Sequence, residues 1–120
     1  MRFAKKARRG ISAIYARTAV ANPEVIAWQI GLCTAYCQFR GWTRVAAYAD
    51  DGYAGTKLAE RLQLARLLDD ARAGLIERLI VEDLQRLARS PSQLYWIMQK
   101  LSECGITVYV AENNEPRSIQ

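Results

Sequence analysis

Residues Ile11–Ala19, I-S-A-I-Y-A-R-T-A, constrain the fold of this chain more than any other stretch. In an extended segment Ile11, Ala13, Tyr15 and Arg17 fall on one side, and Ser12, Ile14 and Ala16 on the other. Neither side is polar before Arg17. A strand buried on both faces is the pattern of a parallel sheet. Arg17 sets a permanent cation at the strand's C-terminal end, the rim where open α/β sheets bind ligands. Taken alone, it reads equally as an ordinary exposed strand-end arginine.

The rest of the chain alternates helices and strands. After V-A-N-P-E, Asn22 is placed to cap a helix, with Pro23 at the first helical position and Glu24 at the positive helix end. That helix runs to about Arg40 and stops at Gly41. Val25, Trp28, Leu32, Ala35, Tyr36 and Phe39 form its apolar stripe, with Gln29 at the border. Trp42–Ala49 reads as a second strand, followed by the turn-rich loop Asp50–Thr56, D-D-G-Y-A-G-T. Arg61 opens a helix to about Ala73, closed by Gly74, with Leu62, Ala65, Leu67 and Leu68 as its stripe. Ile76–Val81 is a third apolar run, interrupted by Arg78. It delivers the chain into E-D-L-Q-R-L-A-R-S-P, where Arg86 and Arg89, three apart, face one way in a helical turn. Ser90 or Ser92 caps a helix over Gln93–Cys104, and Ile106–Ala111 is the last strand. The order β-α-β-α-β-α-β, with crossovers long enough for parallel pairing, predicts an α/β fold. The expected architecture is a mostly parallel four- to five-stranded sheet with helices on both faces.

A chain of 120 residues is one domain with a core of its own. The net charge of +5 has a local origin: Arg2, Lys5, Lys6, Arg8 and Arg9 stand before Gly10. These five come from 17 Lys and Arg in all, and the 12 that remain balance the 12 Asp and Glu. Residues 1–10 are thus a basic arm, suited to tracking phosphates or equally to serving as a solubilising tail. Residues 11–113 form the domain, and 114–120 are a polar end. No apolar run spans a bilayer, and no apolar segment directly follows the N-terminal charges as a secretory signal requires. A cytoplasmic protein without membrane contact is expected. Cys33, Cys37 and Cys104 make an odd set with no disulfide framework. With no histidine in the chain and no fourth soft ligand, a zinc site is not expected, and the cysteines read as small buried residues. The missing histidine also removes the commonest general base.

In this topology Arg17, Arg61, Arg86 and Arg89 gather at the C-terminal rim. Four guanidiniums on one edge repel unless an anion joins them, and arginine's planar fork suits phosphate. A phosphate pocket is therefore expected there. An ordinary small-molecule phosphate enzyme is disfavoured, because no Gly-rich loop such as G-x-x-x-x-G-K is present.

Y-A-R-T-A at 15–19, W-Q at 28–29, Y-A-D-D-G-Y-A-G-T at 48–56, E-R at 60–61 and D-L-Q-R-L-A-R-S at 83–90 together resemble the catalytic domain of serine recombinases, the resolvase/invertase family. The resemblance covers about residues 11–113. It implies site-specific cleavage and exchange of double-stranded DNA through a phosphoserine link, with no metal and no cofactor. An arginine cluster would stabilise the charge that develops on the phosphate. By position Arg17, Arg61, Arg86 and Arg89 match the family's phosphate-binding arginines and Gln29 its active-site glutamine. Tyr15 matches a residue beside the nucleophile loop, and Asp50 the acid that closes the second strand.

The departures bear on activity. The family pattern Y-x-R-x-S ends here in Ala19, so no hydroxyl stands in the nucleophile's place and cleavage is not expected. Thr18, one step along an extended segment, points to the opposite side. Gln85 replaces the acid that usually precedes Arg86, and Leu62 stands where a proline often follows Arg61. Family members continue into a long dimerisation helix and a DNA-binding domain, and residues 114–120 are expected to hold neither. The alternative reading is a non-catalytic module that associates with itself or with an active recombinase, its basic arm adding weak DNA contact.

Overall fold

The computed structural model describes residues 10–54 and 57–111. The basic arm before Gly10, residues 55–56 of the loop and the polar end from residue 112 lie outside the described residues. Four strands, β1 (Ser12–Thr18), β2 (Val45–Asp51), β3 (Arg78–Val81) and β4 (Thr107–Val110), alternate with α1 (Pro23–Phe39), α2 (Leu62–Arg72) and α3 (Pro91–Glu103). The strands form one parallel sheet in the order β2-β1-β3-β4. This is the expected α/β class, with four strands among the described residues.

β1 is central and every residue in it is buried, as its double-sided apolar pattern requires. Its even and odd positions feed two cores. Ala13 and Tyr15 join Leu79, Val81 and residues of α2 and α3, including Leu64, Leu67, Ile97 and Leu101. Ile14 joins Ile80, Cys33 and Cys37 beneath α1. Helices therefore cover both faces of the sheet.

β1 also outlasts its neighbour. β3 ends at Val81, in register with Tyr15, while β2 continues beside β1 to pair Arg17 with Asp50 and Thr18 with Asp51. The end of β1 is thus flanked by a strand on one side only. The 3-10 turn Leu84–Arg86 occupies the rim on the other.

Several boundaries differ from the sequence reading, each for a local reason. The second strand begins at Val45, because Trp42 turns into a ring cluster with Tyr36 and Tyr109. β3 begins at Arg78, whose guanidinium lies over Trp42 and donates to Ser12 Oγ. The last helix starts at Pro91, and the choice of cap falls on Ser90, whose side chain accepts from Gln93 N.

The apolar stripe assigned to α1 is corrected in part: Leu32 and Tyr36 pack against the core beneath the helix, but its most buried positions lie elsewhere. The sheet-facing residues are Gln29, Cys33 and Cys37, whereas Trp28 is 52% and Phe39 66% exposed. This helix carries only one charged residue, Glu24, so its sequence contains no polar face to reveal the inward one.

Candidate active site

The site is built at the end of β1, where Arg17 leaves the sheet. Arg17 is 3% exposed, so it is not an ordinary surface arginine. Its Nε donates to Arg86 O (2.9 Å), Nη2 to Gln85 O (2.7 Å), and Nη1 to both Tyr53 O and Ala54 O (2.9 Å each). One guanidinium therefore ties the β2-end loop and the Leu84–Arg86 turn to the tip of β1. Burial, and then the positive charge of Arg61, lowers the pKa of Arg17 from its ordinary value.

Arg61 is fully buried at the start of α2. Nε and Nη2 donate to Tyr15 Oη (3.2 and 3.1 Å), and Nη2 also to Arg86 O (3.1 Å). Its Nη1 is buried with no hydrogen-bond partner among the described residues. The Tyr15 hydroxyl donates in turn to Asp50 Oδ2 (2.6 Å). Asp50 accepts from Gln63 N (2.9 Å) and Leu64 N (3.0 Å), so it caps α2 from the end of β2. Burial raises the Tyr15 phenol well above the ordinary tyrosine range.

The four arginines stay within electrostatic reach of one another and differ in how they are held. Arg17 and Arg61 are anchored largely by backbone carbonyls and the Tyr15 hydroxyl. Dipoles of the chain relieve part of the repulsion for which an anion alone was invoked. Arg86 and Arg89 are the open pair. Arg86 Nε pairs with Glu82 Oε1 (2.8 Å) and its Nη1 reaches Arg17 O (3.4 Å). Arg89 is exposed. Arg17, Ala19, Gln85, Arg86 and Arg89 together line a cavity of about 230 Å³.

Gln29 and Thr18 stand outside that lining. Gln29 is fully buried rather than a border residue, and its amide brackets the peptide of Arg17: Oε1 accepts from Arg17 N and Nε2 donates to Arg17 O. Thr18 points away from Ala19's cavity, as alternation along the strand requires. Its hydroxyl donates to Asp51 Oδ1 and accepts from Gly52 N (2.9 Å). Asp51 Oδ1 also accepts from Asn22 N (2.7 Å), so one carboxylate holds both ends of the loop that carries Ala19.

Sequence reasoning missed Asp51 and Glu82. Glu82 was legible, since it lies four residues before Arg86, a spacing that favours ion pairs. Asp51 carried no signal apart from Asp50 beside it.

The comparisons agree with this fold. The family model described as Resolvase, N terminal domain matches residues 12–119. The N-terminal catalytic domain of TP901-1 integrase superposes with a TM-score of 0.75 at 31% identity, covering 85% of this chain and 79% of that one. Two further structures are similar in fold. One is the C-terminal catalytic domain of ISC1926 TnpA, an IS607-like serine recombinase (TM-score 0.75, 23% identity, 90% of this chain and 71% of that one). The other is a resolvase family site-specific recombinase from Streptococcus pneumoniae (TM-score 0.74, 20% identity, 88% and 74%). No curated protein gives a significant match. With a double-sided β1, a rim of buried and open arginines and a family match over nearly its whole length, the chain belongs to the resolvase N-terminal domain family, the catalytic domain of serine recombinases.

Proposed function

We propose that this domain holds a phosphate of double-stranded DNA in its arginine cavity and does not cut the strand. The observation that carries the reading is the composition of the cavity wall: Arg17, Arg86 and Arg89 line it with Ala19, and among the described residues no hydroxyl does. Arg86 and Arg89 supply the contacts to phosphate oxygens, and buried Arg17 and Arg61 hold the rim in shape and add positive potential. Cleavage by a serine requires its hydroxyl to lose a proton and bond to phosphorus while the bond to a deoxyribose oxygen breaks and that oxygen gains a proton. The Ala19 methyl supports none of this. Gln85, in place of an acid, removes one candidate carrier for the second proton.

Incubation of the parent and Ala19→Ser chains with duplex DNA, followed by denaturing electrophoresis, tests the reading. The parent is expected to bind DNA reversibly and form no denaturant-stable adduct, and Ala19→Ser to form one. An adduct with the parent, or parent binding that is indifferent to Arg86→Gln with Arg89→Gln, would sink it.

A second reading, association with another copy or with an active recombinase, is favoured by the outer face of α1. Trp28 and Phe39 are exposed on a helix whose only charge is at its first turn. Sedimentation of the chain with and without Trp28→Lys tests this: loss of a dimer in the variant supports it, and a monomeric parent dismisses self-association.

A further inference from the structure

The arginines of the cavity are unequally matched by acids. Arg86 pairs with Glu82 (2.8 Å), which stands outside the cavity lining. Asp50 reaches Arg61 through the Tyr15 hydroxyl, and Asp83 accepts from Gln85 N. Arg17 and Arg89 make no ion pair among the described residues. The four bonds that Arg17 donates all end on carbonyl oxygens, which satisfy its N–H groups and leave its charge unmatched. Burial lowers the Arg17 pKa most, and the charges of Arg61, Arg86 and Arg89 lower it further, so these guanidiniums act on one another. No carboxylate among the described residues lines the cavity. Two of its arginines thus carry charges that no bonded acid offsets.

A phosphate within a strand carries one negative charge and two free oxygens, the other two being esterified to sugars. A phosphate at a strand end has one ester bond and three free oxygens. Its second pKa lies at about 6, so near neutral pH it holds close to two charges. That dianion matches the two unpaired arginines, whereas a diester leaves one of them uncompensated. The donors also suit a third oxygen. Arg17 keeps one N–H on Nη2, Arg86 keeps its Nη2, and the whole fork of Arg89 is open. At Ala19 the wall is a methyl, so the added oxygen meets no hydroxyl there.

We infer that the cavity takes a terminal phosphate monoester, the end of an interrupted strand in duplex DNA, in preference to a phosphate diester within an intact strand. The inference rests on the reading that this cavity holds a DNA phosphate, and it names which kind. No bond forms or breaks in this recognition.

The test is binding of the full parent chain to a dumbbell duplex, whose strand is closed on itself and has no ends. Dumbbells opened by a single-nucleotide gap are titrated beside it at one salt concentration, with hydroxyls only, with a 5′-phosphate or with a 3′-phosphate at the gap. A phosphate-bearing gap is expected to bind about tenfold tighter than the closed dumbbell or the hydroxyl gap. Which of the two phosphates does so assigns the end that the cavity takes. Capping that phosphate as its methyl ester removes one charge and one free oxygen and should return affinity to that of the closed dumbbell. Arg89→Gln should abolish most of the preference. Equal affinity for closed and phosphate-bearing dumbbells, both weakened by Arg86→Gln with Arg89→Gln, overturns this inference and leaves the DNA-phosphate reading standing. A hydroxyl gap that binds as tightly as a phosphate gap assigns the preference to the bend of the gap and overturns it too. A free deoxynucleoside 5′-monophosphate that binds as tightly as the gapped duplex makes the ligand a small phosphomonoester and overturns the strand-end assignment. If the parent binds no dumbbell, or binds them all regardless of the cavity pair, the underlying reading falls as well.

Discussion

The side chain of Gln29 completes the sheet at Arg17. Gln29 Oε1 accepts from Arg17 N at 3.1 Å and Nε2 donates to Arg17 O at 3.0 Å, the pair of bonds a neighbouring strand would make. Ser12 N and Thr18 O bond toward β2 and its following loop, so by alternation the peptide groups of Arg17 face the β3 side. β3 has stopped two residues short of it, and a buried glutamine from α1 takes the missing strand's place. In the proposed site Gln29 is a positioning residue. It fixes the peptide from which Arg17 and Ala19 are directed, without lining the cavity.

Removing that amide leaves two buried peptide groups short of partners. Gln29→Ala is expected to destabilise the domain by about 2–4 kcal/mol, read from the urea midpoint at unchanged slope. Gln29→Glu keeps the acceptor for Arg17 N and loses the donor for Arg17 O. Its deficit should shrink as pH falls and the carboxyl regains a proton that it can donate. A deficit independent of pH would mean that the donor to Arg17 O carries little weight.

Tyr15→Phe removes the hydroxyl that accepts from Arg61 and donates to Asp50, and an expected cost of about 1–3 kcal/mol follows from unpairing buried polar groups. Burial raises the phenols of both Tyr15 and Tyr48 above the ordinary value of 10.0, with hydrogen bonds to Asp50 and Asp70 acting in the same direction. A folded-state pKa above the unfolded one means that the native chain keeps protons the unfolded chain has lost. This contribution is therefore fully present below about pH 10 and lost as pH rises beyond it. Tyr15 and Tyr48 are expected to ionise only as the domain unfolds in alkali, followed by absorbance of the phenolate. Tyr15→Phe should leave one such late tyrosine.

How much of this was legible depends on where the information is stored. β1 was readable because a run apolar on both sides has few homes other than a parallel sheet. Arg17 at its tip was readable because charge ends such a run. The helix boundaries at Asn22, Gly41 and Gly74 followed from cap chemistry. The inward face of α1 was readable only in part: Cys33 and Cys37 were expected to be buried and are, but nothing in the sequence set Gln29 inside and Trp28 or Phe39 outside. Nor was the state of Arg17 and Arg61. Their partners are mainly the carbonyls of Tyr53, Ala54, Gln85 and Arg86, and a carbonyl leaves no mark on residue identity.

The cysteines give a direct check on that corrected helix face. Cys33 and Cys37 are fully buried, and burial pushes the Cys33 thiol up to about 12 and raises that of Cys37. Thiolate is the reactive form, so both should resist a thiol reagent at neutral pH while half-buried Cys104 reacts first. One fast equivalent in the native chain and three in denaturant are expected. Three fast equivalents at the outset would mean that α1 does not pack on Ile14 and Ile80 as described.

Two glycines should respond to alanine in opposite directions. Gly31 lies mid-way along α1, and a Cβ built there meets nothing within 4 Å. Gly31→Ala therefore gains helix propensity without a clash, about 0.5–1 kcal/mol of added stability. Gly52 follows β2 with φ +94°, and a Cβ there would stand 3.3 Å from the Ala21 methyl, in the loop that carries Ala19. Gly52→Ala is expected to cost about 1–3 kcal/mol from the backbone conformation alone. Its backbone N–H also holds Thr18 Oγ1, so the variant should disturb the brace from Thr18 through Asp51 to Asn22. Thermal unfolding reads the two stabilities, and amide exchange at residues 19–22 reads the loop. Faster exchange there in Gly52→Ala, with none in Gly31→Ala, would tie the position of Ala19 to the turn at the end of β2. Equal exchange in both variants would mean that the loop is set by Arg17 and Gln29 instead.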